Sequence, residues 1–88
     1  MFLHLGENTV ISTENLVGIF DMDNTTVSKI TRDYLTKMQK ENKIVNVSYE
    51  LPKSFILCRD KKTKEEILYI SPISTQTLLK RIQNNKLD

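Results

Sequence analysis

The apolar positions change period several times along the chain, and each change marks an element. Residues 2–5 alternate, with Phe2 and His4 on one face and Leu3 and Leu5 on the other, which predicts a strand. Gly6 and Asn8 supply a turn and 9–12 a second short strand, so 2–12 reads as a hairpin. After a turn over 12–15, the run from Leu16 to Phe20 fits a buried strand. Asp21, Asp23 and Asn24 are turn formers, and Thr25 or Thr26 is placed to cap a helix. Val27, Ile30, Tyr34, Leu35 and Met38 recur at steps of three and four, which predicts that helix over 27–40 with one apolar face. Its other face, with Lys29, Arg32, Asp33, Thr36 and Lys40, is polar and mildly basic, and Asn42 is its stop.

Residues 44–49 alternate again, with Val45, Val47 and Tyr49 facing one way. Leu51-Pro52-Lys53 breaks that pattern, because Pro52 has no N–H to give a ladder. Strands over 54–59 and 67–71 flank a charged hairpin joint, and Pro72 ends the second of them. Ser74 is placed to cap a final helix over 75–83, docked by Leu78, Leu79 and Ile82, and 84–88 reads as a frayed tail. The whole order predicts an α+β fold: a small, mainly antiparallel sheet of short strands with one central and one C-terminal helix.

Length and charge narrow this picture. An 88-residue chain fits one domain, residues 1–88. No apolar run approaches the roughly 20 residues of a membrane span. The start lacks the basic and long apolar regions of a signal peptide. The lone Cys58 makes no internal disulfide, so a cytoplasmic protein is expected. The net charge of +2 hides an asymmetry. Residues 1–28 hold four acids and no Lys or Arg, for −4, whereas 29–88 hold all 13 basic residues and seven acids, for +6. That division fits an anionic partner or a charge-complementary neighbouring subunit, and equally a solvated surface. Short strands also leave sheet edges that must be paired, so a homo-oligomer is expected, with a closed ring satisfying every edge.

Asp21-x-Asp23-x-Thr25 after an apolar strand resembles the first motif of the haloacid-dehalogenase phosphohydrolases, in which a carboxylate attacks phosphorus beside magnesium. That fold needs a parallel sheet with crossover helices, more than 88 residues supply. It also needs a later acidic pair on the metal, and Glu65-Glu66 precede a strand instead of following one. The string therefore reads as a turn whose charge favours the helix N-terminus, and no enzyme is expected. His4 and Cys58 are each the only residue of their type, so no metal-ligand set is expected, and no cofactor. His4 reads instead as a half-buried strand residue and Cys58 as a small strand hydrophobe. The remaining signal is basic. Lys53 lies at the strand break, Arg59, Lys61, Lys62 and Lys64 on one hairpin tip, and Lys80 and Arg81 on the last helix. Lys53, Arg59, Lys61, Lys62, Lys80 and Arg81 form a candidate set for phosphate contacts with DNA; the competing reading is a solvated tip.

Several strings together carry a resemblance: HLG at 4–6, LVGIFD at 16–21, NTTVSKITRDYL at 24–35, LPKSF at 51–55 and YISPISTQTLLKR at 69–81. In that order and spacing they resemble the RemA/RemB family of small extracellular matrix regulators, with the RemB branch nearer. The resemblance implies a cytoplasmic bacterial regulator of biofilm-matrix genes. For the RemA branch it implies double-stranded DNA binding by a ring-like oligomer. That branch has an arginine near the position of Asn15 and an arginine pair after the tyrosine matching Tyr49. Leu51 and Pro52 stand in those later places here, and Lys53 is the nearest cation. The expected function is thus a DNA-binding, oligomeric regulator. The alternative is an interaction protein that modulates a RemA-like partner without touching DNA.

Overall fold

Alternation at the start of the chain folds as it reads. β1 (Phe2–Gly6) and β2 (Thr9–Ser12) form an antiparallel hairpin in which Leu3 faces Ile11 and His4 faces Val10. Leu3, Leu5 and Ile11 are buried, and Phe2 and Val10 are exposed on the other side. Gly6 adopts φ +125°, and a Cβ there would lie 3.2 Å from Cγ1 of Val47, so only glycine suits both the turn and the close approach. His4 is exposed and not half-buried as the sequence suggests. Its Nε2 sits 2.7 Å from the Glu7 carbonyl, bracing the hairpin turn.

The structure, a computed structural model, describes residues 1–22 and 29–87. Asp23, Asn24, the Thr25 or Thr26 cap, Val27 and the side chains of Lys29 and Ile30 lie outside the described residues. A 3-10 turn (Thr13–Asn15) leads into β3 (Leu16–Asp21), followed by α1 (Lys29–Lys40) and β4 (Ile44–Asn46). β5 (Ser54–Arg59), β6 (Glu66–Ser71) and α2 (Thr75–Leu87) complete the chain. The second sheet has the order β3-β5-β6-β4, antiparallel except for β4 against β6. β3 and β4 therefore run parallel, joined by α1 as a crossover, and the later β5–β6 hairpin fills the gap between them. Residue patterns foretold the hairpin and the helix, but not that β3 and β4 share a direction. That relation depends on which strands pair, and no local pattern encodes it.

β5 is the central strand, and Ser54, Phe55, Ile56 and Cys58 are buried along it. On one face α1 packs Met38, with Tyr34 and Leu35, against Phe55, Leu68, Leu57, Ile70 and Ile44. Stacked rings of Phe20 and Phe55, 5.1 Å apart, tie β3 to β5. On the other face the β1–β2 hairpin and α2 bring Leu3, Leu5, Ile11 and Leu78 onto Ile56, Cys58 and Val47. Each such fully buried side chain contributes about 1.5–3 kcal/mol.

Three local expectations need correction. β4 stops at Asn46, because after the Val47 N–H takes the Ile70 carbonyl at 3.0 Å its partner strand is ending at Ser71 and Pro72. Tyr49 consequently lies beyond the strand, fully exposed. Leu79 does not dock α2: Leu78 is buried and Ile82 packs on the core, but Leu79, one step round the helix, is 49% exposed. The segment expected to fray is helical through Leu87, and it holds no glycine or proline to end the helix earlier. Ser74 caps this helix as expected, accepting the Thr77 N–H at 3.3 Å.

Candidate nucleic-acid interface

Because Pro52 cannot donate, the central strand's bonding begins at Lys53. The Lys53 N–H donates to the Ser71 carbonyl at 2.9 Å, and its own carbonyl accepts from Met22 at 3.1 Å. The backbone is thus held between the ends of β3 and β6 while the side chain is exposed. Beside it, the loop that ends at Lys53 presents Tyr49 and Leu51, the latter 81% exposed.

The opposite end of β5 carries the basic turn. Its geometry follows from Asp60, whose Oδ1 accepts the Lys62 and Thr63 N–H groups at 2.8 and 2.9 Å. The Thr63 and Lys62 amides hold that carboxyl below the usual carboxylate range. The Asp60 N–H donates to the Glu65 carbonyl and the Lys64 N–H to the Asp60 carbonyl, both at 2.9 Å, closing the turn. Lys61, Lys62 and Lys64 project from it, all exposed.

Arg59 and Arg81 have structural partners. Arg59 Nη2 donates to Glu66 Oε2 at 2.7 Å across the β5–β6 ladder. Tyr34 of α1 donates to Oε1 of the same carboxylate at 3.4 Å. The Arg59 hydrogen bond is the main reason the Glu66 carboxyl sits below its usual range, and burial is the main reason the Tyr34 phenol sits above its own. Arg81 Nη1 donates to the His4 carbonyl at 2.9 Å, tying α2 to β1. Lys80, one residue earlier, is exposed.

The candidate cations therefore occupy three places. Lys53 lies at one end of the sheet. Arg59, Lys61 and Lys62 lie at the other, about 20 Å away at the rise of an extended strand. Lys80 and Arg81 lie on α2, on the hairpin side of the sheet. The chain does not gather them onto one patch. Sequence reasoning left Lys64 out of the set although it shares the turn, and gave no weight to Tyr49 and Leu51. The signal for Tyr49 and Leu51 was available, since both large apolar residues flank Glu50 in a segment that Pro52 excludes from the sheet.

Asp21 ends β3 opposite Ser54. Among the described residues no group of three or more His, Cys, Asp and Glu side chains could hold a metal ion. No helix there is long and apolar enough to cross a membrane. The class that emerges is a small α+β protein presenting dispersed lysines around a split β-α-β sheet.

Comparison with known proteins supplies the family. Residues 2–82 match the RemA-like family, described as extracellular matrix regulatory protein A-like. The chain is also 39% identical over 83 residues to the extracellular matrix regulatory protein B of Bacillus subtilis (strain 168), covering 94% of this chain and 91% of that protein. This chain belongs to the RemA-like family of extracellular matrix regulators.

Proposed function

We propose that the protein is a cytoplasmic regulator of extracellular-matrix genes, not an enzyme, that binds double-stranded DNA as a homo-oligomer. The observation that carries this reading is the match to a named extracellular matrix regulatory protein over nearly the whole chain. The chemistry supports it: Lys53, Lys61, Lys62 and Lys80 are exposed and enter no ion pair among the described residues. Each subunit offers only a few dispersed cations, so a monomer binds DNA weakly. A ring repeats the same contacts and raises the effective concentration, strengthening binding without new chemistry.

Phosphate contacts release counterions, so log affinity should fall linearly with log salt, at a slope near 0.9 per neutralised phosphate. A salt titration of duplex binding by the wild type and Lys53→Ala tests this. The variant should show a shallower slope and weaker binding to all duplexes alike. Equal slopes would remove Lys53 from the contact. No binding even at low salt would favour the second reading, a protein that modulates a RemA-like partner. That reading is supported by the occupation of Arg59 and Arg81 within the fold and by the exposed Tyr49 and Leu51.

A further inference from the structure

We propose that the cleft between β2 and the β5–β6 turn is a binding site for a small organic amine with an apolar body. Its volume is about 360 Å³, within the range of roughly 300–1,000 Å³ typical of small-molecule sites. The inference goes beyond the DNA reading and stands whether or not the protein binds DNA.

The lining divides by chemistry. Ile11, Cys58 and Tyr69 make an apolar floor. Cys58 is only 7% exposed and faces the cleft from the central strand, and burial pushes its thiol up to about 11, so it is neutral at pH 7. Tyr69, Asn15 and Glu65 also line the cleft, and their side chains make no hydrogen bond among the described residues. Asp60 uses Oδ1 for the two turn amides, and the Thr63 side chain and the Lys64 charge also act on its carboxylate. The site thus offers one unclaimed carboxylate, that of Glu65, beside the Asp60 carboxylate that the turn already engages.

Charge decides the ligand class. No lysine or arginine lines the cleft among the described residues, although Lys61, Lys62 and Lys64 sit on the same turn. Asp60 and Glu65, the two acids of the turn, line the cavity, and Lys64 is near enough for its charge to act on the Asp60 carboxyl. A lining with two acids and no base favours a cationic group over a phosphate or carboxylate at that wall. Two carboxylates are too few for a divalent cation, which takes about six or more oxygen ligands. An ammonium fits the rim, where a charge-assisted hydrogen bond is stronger than a neutral one. An alkyl or aryl body fits the floor, leaving water as it binds.

The test uses the ¹⁵N-labelled full chain and three probes of one shape: benzylamine, benzyl alcohol and benzoate. Amide shifts followed at pH 7 should saturate with benzylamine and centre on Asn15, Cys58, Asp60 and Glu65. Benzyl alcohol should bind about tenfold more weakly, the scale of one lost charge-assisted contact, and benzoate should not bind. Glu65→Gln should weaken benzylamine by a similar factor. Its side chain has no partner in the fold, so the rest of the spectrum should be unchanged. Equal affinity for the alcohol, shifts centred elsewhere, an unaffected Glu65→Gln variant or no saturation at millimolar benzylamine would each overturn the site.

Discussion

Ser71 shows how a single hydroxyl joins three elements. It is wholly buried at the end of β6. Its Oγ donates to the Leu5 carbonyl at 2.6 Å and accepts the Ile73 N–H at 3.0 Å. Ser54, its neighbour across the ladder and equally buried, donates to the Ile73 carbonyl at 2.8 Å. The two serines thereby fix the hairpin and the approach to α2 above the central strands. Ser71→Ala would leave the Leu5 carbonyl and the Ile73 N–H short of partners in a dry place, costing about 1–3 kcal/mol. Urea denaturation should show a loss of that size, and an unchanged midpoint would mean that water or a backbone shift replaces both bonds.

At the scale of elements, α1 is held by apolar packing and, among the described residues, by a polar link from Tyr34 to Glu66 to Arg59. The hydrogen bond and charge of Arg59 favour ionised Glu66 in the folded state. A depressed carboxyl contributes stability that is fully present above its unfolded value of about 4.3 and is lost as pH falls through the lower folded value. The wild type should therefore lose more stability than Glu66→Gln on acidification from roughly pH 5 to pH 3. Urea midpoints measured across that range compare the two, and parallel curves would show that the link contributes no pH dependence. Other carboxyls, Asp60 among them, titrate in both proteins, so the difference between the curves isolates Glu66.

At the scale of the molecule, the four-stranded sheet ends in two edges, β3 and β4, with no further strand beside them among the described residues. Val10, Tyr49 and Leu51 are large apolar side chains exposed to water. Unpaired sheet edges and exposed large apolar side chains on a small protein mark surfaces that associate. We expect the protein to sediment as an oligomer at micromolar concentration. Replacing both Tyr49 and Leu51 with serine should shift it toward monomer without unfolding it, since neither side chain enters the core. A wild-type monomer at that concentration would overturn the expectation, and an oligomer unmoved by the double substitution would place the interface elsewhere.

What the sequence determined by itself was local: where the chain turns, which strand residues share a face, and which side of α1 is apolar. Leu3, Leu5, Tyr34, Leu35, Met38 and Leu78 pack where their spacing put them, because periods of two and 3.6 follow from backbone geometry alone. The family was legible too, since it rests on residue order. Tertiary structure decided the parallel relation of β3 and β4, the early end of β4 and the exposure of Leu79, each set by which element lies alongside. It also decided how the cations divide. Arg59 and Lys61 are near neighbours in sequence, yet Arg59 meets Glu66 across a ladder while Lys61 extends from a turn into solvent. Charge is a property of a residue, but whether that charge is available depends on its partner, and the partners of Arg59 and Arg81 are 7 and 77 residues away along the chain.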